Sequence, residues 1–174
     1  IGNYAFASSS SSTDGTLESV TFDEGVPVSV GTRAFQKYSN SFTIFDAGNR
    51  ELTLGDNVFL GSSALTLINI PNVKSLGKGV FHGYENTAGT LIINGEAGCD
   101  PLTFKDYTSG DGTAAADSLK KATIYAMGDA NKVKSEVEAL GSIGSNILCL
   151  TNGGTFENPP MNNTALATPV KAGY

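Results

Sequence analysis

The chain has no tryptophan, one histidine, two cysteines and two methionines among 174 residues. Each scarcity excludes some chemistry. A Ser-His-Asp arrangement would need the lone imidazole, His82, beside both a nucleophile and an orienting carboxylate, and no G-x-S-x-G elbow is present. A clustered set of His and Cys metal ligands is missing too. His82 directly follows Phe81 and reads as an ordinary turn or surface histidine. Cys99 and Cys149 permit at most one internal disulfide. Cys99 follows the fourth expected strand, Cys149 sits in the last, and a strand near Ile124 is expected between them. Two strand spacings are about 9–10 Å, beyond disulfide reach, so two separate thiols are expected.

Positive charge is also scarce. Lys and Arg number 11 against 17 Asp and Glu, a net charge of −6. Phosphate binding needs clustered Lys and Arg, so the charge balance argues against a nucleic-acid surface. No apolar run approaches membrane-spanning length, and no membrane insertion is expected. Charged residues are only 16% of the chain and apolar residues 40%, enough for a core. Abundant Ser, Thr, Asn and Gly suit an all-β or coiled repeat protein with many turns. The carboxylates do not pair as a glycosidase requires. Asp23-Glu24 belongs to a turn, and Glu136 and Glu138 to a solvated helix face. Gly77-Lys78-Gly79 lacks the rest of any phosphate loop.

What the chain has is a repeated phrase. It reads Ile1-Gly2-Asn3-Tyr4-Ala5-Phe6, Val30-Gly31-Thr32-Arg33-Ala34-Phe35, Leu54-Gly55-Asp56-Asn57-Val58-Phe59 and Leu76-Gly77-Lys78-Gly79-Val80-Phe81. The pattern is an aliphatic residue, Gly, two variable residues, Ala or Val, then Phe. Its glycines are 29, 24 and 22 residues apart. A period of this size marks a solenoid. Between the phrases lie β-rich runs in which Val20, Ile44, Ile68 and Ile92 recur every 24 residues. These four are expected to point inward. Second short strands follow at Val28-Ser29-Val30 and Leu52-Thr53-Leu54, after turns at Asp23–Pro27 and Asp46–Asn49. The phrase glycine is expected to permit a turn that a Cβ would hinder. Phe6, Phe35, Phe59 and Phe81 are expected to stack as a buried column. No single coil buries its own apolar face, so neighbours supply the core.

The organisation follows. Residues 1–98 are regular repeats, with a loop insertion at Ser8–Ser12 that lengthens the first spacing. Residues 99–150 hold a loop insertion and a degenerate, capping repeat. In 99–118, Asp106, Asp111 and Asp117 are spaced wrongly for an EF-hand, so a solvated excursion without metal is expected. A strand at Ala122–Tyr125 precedes a helix over 130–140, capped by Asp129, with Val133, Val137 and Leu140 on one face and Gly141 at its end. Ile147–Leu150 is a last strand. Residues 151–174 form a tail or the start of a following module. Asn162-Asn163-Thr164 is a formal glycosylation sequon. The chain opens inside a phrase, without an initiator Met or signal peptide. It reads as a monomeric fragment or processed product of a larger multidomain protein.

The phrase, with strands such as Leu17-Glu18-Ser19-Val20-Thr21-Phe22 and Leu65-Thr66-Leu67-Ile68-Asn69-Ile70-Pro71, resembles BspA-like leucine-rich repeats. The likeness covers about residues 1–98 and extends weakly over 119–150. It departs in lacking the Cys that often follows Ala-Phe and in lacking an asparagine ladder. Asn152–Phe156 with Leu166, Pro169, Gly173 and Tyr174 is similar to the start of an InlB B-repeat-like module. The fold so implied is a β-rich α/β solenoid, a right-handed leucine-rich-repeat coil with a parallel sheet, about five or six coils and one terminal helix. The resemblance implies a bacterial protein that is secreted or on the cell surface. It implies non-enzymatic adhesion to protein or glycan ligands, with no cofactor. A structural spacer is the alternative, and a glycan-processing enzyme a remote one, because the acid/base constellation is missing.

If the column Val20, Ile44, Ile68 and Ile92 points inward, its neighbours point out. Two outer rows result: Ser19, Thr43, Leu67, Leu91 and Thr123, and Thr21, Phe45, Asn69, Ile93 and Tyr125. Phe45, Leu67, Leu91, Ile93 and Tyr125 would form an apolar ligand surface framed by Thr21 and Asn69. A register error of one residue, or a covering loop, would instead bury them.

Overall fold

The computed structural model describes residues 1–8, 17–23, 25–37, 41–82, 89–94, 97–99, 103, 105–106, 114–115, 123–127 and 147–149. Among the described residues, ten strands form two parallel sheets. Sheet A orders β1 (Ser19–Thr21), β3 (Ile44–Asp46), β5 (Leu67–Ile70), β7 (Thr90–Asn94), β11 (Thr123–Met127) and β12 (Ile147–Cys149). Sheet B orders β2 (Val28–Val30), β4 (Leu52–Leu54), β6 (Val73–Leu76) and β8 (Gly98–Cys99). The chain therefore alternates: a strand in A, a strand in B, then the phrase, then back to A. A second parallel sheet stands where one was expected. Among the described residues there is no helix. The helix expected over 130–140 and the tail 151–174 lie outside the described residues, as does the Ser8–Ser12 insertion beyond Ser8. The expected excursion at 99–118 contains a small antiparallel hairpin, β9 (Lys105–Asp106) with β10 (Ala114–Ala115).

The phrase builds a third wall. In the first two copies the Ala N–H of the phrase bonds back to the phrase glycine, Ala5 N to Gly2 O at 3.4 Å and Ala34 N to Gly31 O at 3.3 Å. The second variable residue takes the left-handed conformation: φ is 57° at Tyr4, 55° at Arg33, 55° at Asn57 and 54° at Gly79. A left-handed third residue is what a type II turn requires. Alternate amides then bridge to the next copy. Tyr4, Phe6 and Ser8 donate to Thr32, Ala34 and Gln36; Arg33, Phe35 and Lys37 donate to Asp56, Val58 and Leu60; Asn57, Phe59 and Gly61 donate to Lys78, Val80 and His82. Asn3 and Asp56 add side-chain acceptors to the next copy's amide, Thr32 N and Lys78 N, each at 2.9 Å.

The phrase glycines serve a purpose other than the expected one. Gly31, Gly55 and Gly77 have no positive φ. A Cβ at Gly31 would lie 2.7 Å from Asn3 N, at Gly55 2.9 Å from Thr32 N, and at Gly77 2.6 Å from Gly55 C. Glycine is needed there because the previous copy's backbone is in the way.

The phenylalanines line up inside. Ring centroids are 5.2 Å apart for Phe6–Phe35, 6.2 Å for Phe35–Phe59 and 6.4 Å for Phe59–Phe81, all stacked. Phe35, Phe59 and Phe81 are fully buried, whereas Phe6, at the end of the stack, is 40% exposed. The column was expected to be buried throughout.

The sheet A register differs from the expected one by a residue in two strands. Val20 pairs with Phe45, Phe45 with Ile68, Ile68 with Leu91 and Leu91 with Ile124. Phe45 and Leu91, not Ile44 and Ile92, therefore join Val20 and Ile68 in the column that faces the core. Phe45 decides it: its ring meets Phe59 edge-on at 5.0 Å, Phe35 at 5.5 Å and Phe22 at 5.6 Å. A phenyl ring buries more apolar area than Ile44 could in the same place. The constant spacing of 24 arose from loops of unequal length and did not track the pairing.

Phe59 touches rings on both sides of its level. Phe59→Ala should cost about 3–5 kcal/mol in urea unfolding, and Phe6→Ala clearly less, since its ring is already part-solvated. Gly77→Ala should lower stability by about 1–3 kcal/mol, because backbone, unlike a flexible side chain, cannot step aside. An unchanged midpoint for Gly77→Ala would contradict the close stacking of phrases.

Candidate functional site: a cleft between turns

The expected apolar surface does not assemble. Phe45, Leu91 and Ile93 belong to the core, with exposures of 0%, 1% and 0%. Leu67, Asn69 and Ile92 are turned away from that core by strand alternation, yet they are only 4%, 0% and 2% exposed. Ile44 beside them is half-buried, and Thr21 is exposed at the edge strand. Tyr125 pairs with Ile92 and Leu148 through its backbone; its side chain lies outside the described residues. The central part of the sheet A outer face is thus not open to a ligand. Asn69 has a structural role there. Its Nδ2 donates to Asp46 Oδ1 at 2.7 Å, and its Oδ1 has no partner. Leaving a buried acceptor unpaired costs about 1–3 kcal/mol. The pair ties β5 to β3 through their side chains.

The other singled-out residues stay apart from this face. His82 lies half-buried in the turn after Phe81. Cys99 is placed by its backbone on sheet B beside Leu76, and Cys149 on sheet A beside Ala126, so no common strand lies between them as expected. Asp106 is on β9, while Asp111, Asp117, Glu136 and Glu138 lie outside the described residues. Among the described residues, no three His, Cys, Asp or Glu side chains group to hold a metal. No helix among them is long and apolar enough to cross a membrane.

An open concavity does exist at the corner where sheet A hands over to sheet B. The connecting turns shorten along the stack, from Phe22–Pro27 to Ala47–Glu51 to Pro71–Asn72. That step leaves a cleft of about 660 Å³ walled by Phe22, Asp23, Pro27, Asn49, Arg50 and Asn72. Each wall has a local cause. Asp46 Oδ1 accepts from Gly48 N at 2.8 Å, an Asx turn, and Gly48 is left-handed at φ 53°. Arg50 N closes the turn onto Ala47 O at 3.0 Å. Asn72 Nδ2 donates to Asn49 O at 3.1 Å, tying the third turn to the second.

Arg50 ties the second turn to the first. Its Nη1 donates to Val26 O at 2.9 Å, and its Nη2 donates to Asp23 O. Its guanidinium carbon sits 5.9 Å from the Phe22 ring centroid, within cation–π range. Gly25 makes room for it, since a Cβ there would come within 3.0 Å of Nη2. Its Nε has no partner. Glu51 at the rim pairs with Lys74 at 4.0 Å, both half-exposed, which contributes little. Chemically the cleft offers an aromatic ring, two amides, one cation and two carboxylates. Sequence reasoning located its turns but not the cleft, because Phe22 and Arg50 meet only through stacking. The readable signal was the shortening of successive turns.

Arg50→Met keeps the apolar stem and deletes both hydrogen bonds. It should cost about 1–3 kcal/mol and speed amide exchange in the first turn, with the phrase ladder unaffected. Loss of protection throughout the chain would show that Arg50 supports more than this corner.

Searched against models of known families, curated proteins and solved structures, the chain gives no match.

Proposed function

We propose that the circuits through sheet A, sheet B and the phrase are coils of a leucine-rich-repeat solenoid, and that the chain is a non-enzymatic binding module. It acts in adhesion at a microbial surface and recognises a protein or a glycan. The observation that carries this reading is the cleft, a concavity made by turns of successive coils and lined by a ring, amides and charges. Such a set orients a ligand by hydrogen bonds over an apolar floor. The resemblance of the four phrases to BspA-like repeats supports the surface location. The same stacking that holds the core makes the site: Arg50 and Asn72 each bond to the preceding turn, so the walls are fixed before a ligand arrives. Preorganised walls lower the entropy cost of binding.

Binding of the chain to matrix proteins and to an array of glycans tests it. Asp23→Ser with Asn49→Ser should weaken the captured ligand by about tenfold or more while leaving the unfolding midpoint in place, since both side chains are exposed. Binding that survives this double change locates the ligand elsewhere. Reproducible glycan hydrolysis by the pure chain would overturn the non-enzymatic reading.

A further inference from the structure

The first copy of the phrase keeps features that its own surroundings do not use. Gly31, Gly55 and Gly77 each exist because a preceding backbone lies where a Cβ would go, but a Cβ at Gly2 would meet nothing within 4 Å. Gly2 has no positive φ either, so neither conformation nor contact within this structure calls for glycine there. Phe6 stacks on Phe35 through one face only. Ile1, Tyr4 and Phe6, at 39%, 53% and 40%, are three of the large apolar side chains left exposed among the described residues, and all belong to this one phrase.

The backbone shows the same imbalance. Thr32, Ala34 and Gln36 accept from the first phrase, Asp56, Val58 and Leu60 from the second, and Lys78, Val80 and His82 from the third. The equivalent carbonyls of the first phrase are Asn3, Ala5 and Ala7, and no described residue donates to them. Gly31 N donates to Ile1 O, Gly55 N to Val30 O and Gly77 N to Leu54 O; the matching donor, Gly2 N, has no described acceptor. β1 and β2 are edge strands of sheets A and B on this same side. Edges of this kind pair readily with another chain.

We infer that this face is a docking surface for one more circuit carrying aliphatic-Gly-x-x-Ala/Val-Phe, stacked in parallel as the existing circuits are. The occupant is set by polarity and continues an interface already repeated between the four phrases. It must present N–H donors to Asn3, Ala5 and Ala7 and a carbonyl to Gly2 N. It must bring a backbone close enough to need Gly2 and an aromatic ring for the free face of Phe6. A second copy of this chain docked through the same face does not qualify, because a two-fold contact would set the carbonyls of one phrase against those of the other. Nearest-neighbour stacking adds stability with each matching circuit.

The test fuses a copy of residues 30–53 ahead of Ile1, so that Ile1 takes the position Leu54 holds in the chain. The same unit duplicated between Thr53 and Leu54 serves as the folding control. The expected result is a single unfolding transition with a raised midpoint, and amide exchange at Tyr4 and Phe6 slowed by about tenfold. Gly2→Ala should be silent in the original chain and should lower the midpoint of the fusion by as much as Gly55→Ala lowers that of the original. An unchanged midpoint with the added residues exchanging freely overturns the inference, as does a fusion that tolerates Gly2→Ala. Dimers of the original chain in sedimentation that Phe6→Ser abolishes would also overturn it, giving the face to a second copy.

Discussion

Backbone contact at the phrase glycines sets the distance between circuits. Where Gly55 passes Thr32 and Gly77 passes Gly55, there is no side chain to hold the strands apart. The two sheets then keep the strand spacing of about 4.8 Å that parallel ladders demand. The turn wall keeps it as well, through its own amide-to-carbonyl ladder. Both sheets and the turn wall contribute side chains to one buried cluster. The phenylalanines accommodate that spacing by offset stacking, with centroids 5.2–6.4 Å apart. A larger residue at Gly31, Gly55 or Gly77 would push against the neighbouring copy's backbone and separate the walls at that level.

This constraint explains which features were legible in the sequence. The phrase and its phenylalanine column were readable because a backbone contact admits only glycine and a stacked interior position favours one ring. The second variable position was less readable, since Tyr4, Arg33 and Asn57 share a left-handed backbone but no chemistry. The register of sheet A was not readable by spacing. At Ile44-Phe45 and Leu91-Ile92, adjacent residues are both apolar, so alternation cannot tell which faces in. Ring packing between Phe35, Phe59 and Phe22 resolves the first pair, and only the assembled structure displays it. An apolar residue on the far side of such a strand was read as exposed surface. Parallel sheets are commonly buried on both faces, and the low exposures of Leu67 and Ile92 follow that rule.

The differences in repeat length fall outside the three ladders, with one exception in sheet B. Spacings of 29, 24 and 22 residues between phrase glycines are taken up by turns and insertions, while pairing continues strand by strand. Loop length costs little in closure entropy, so these segments vary at small expense to stability. The register shift between Leu52 and Thr53 in the pairing of β4 with β6 shows where a length change does enter a ladder. There the sheet absorbs it locally, and Leu54 is again opposite Leu76.

The same division decides where recognition chemistry can reside. Residues inside the ladders are chosen by packing: glycine by contact, phenylalanine by stacking, the β-branched and leucine side chains by the core. Chemistry placed there would disturb every level above and below it. At the corner between sheets A and B, each turn instead bonds only to its neighbour, through Arg50 to Asp23 and Val26, and through Asn72 to Asn49. Side chains such as Asp23 and Asn49 project from a frame that does not need them for folding. A cleft at that corner therefore combines fixed walls with free choice of lining. That combination is what a binding surface on a stacked chain requires, and the outer face of sheet A lacks it because its central residues are buried.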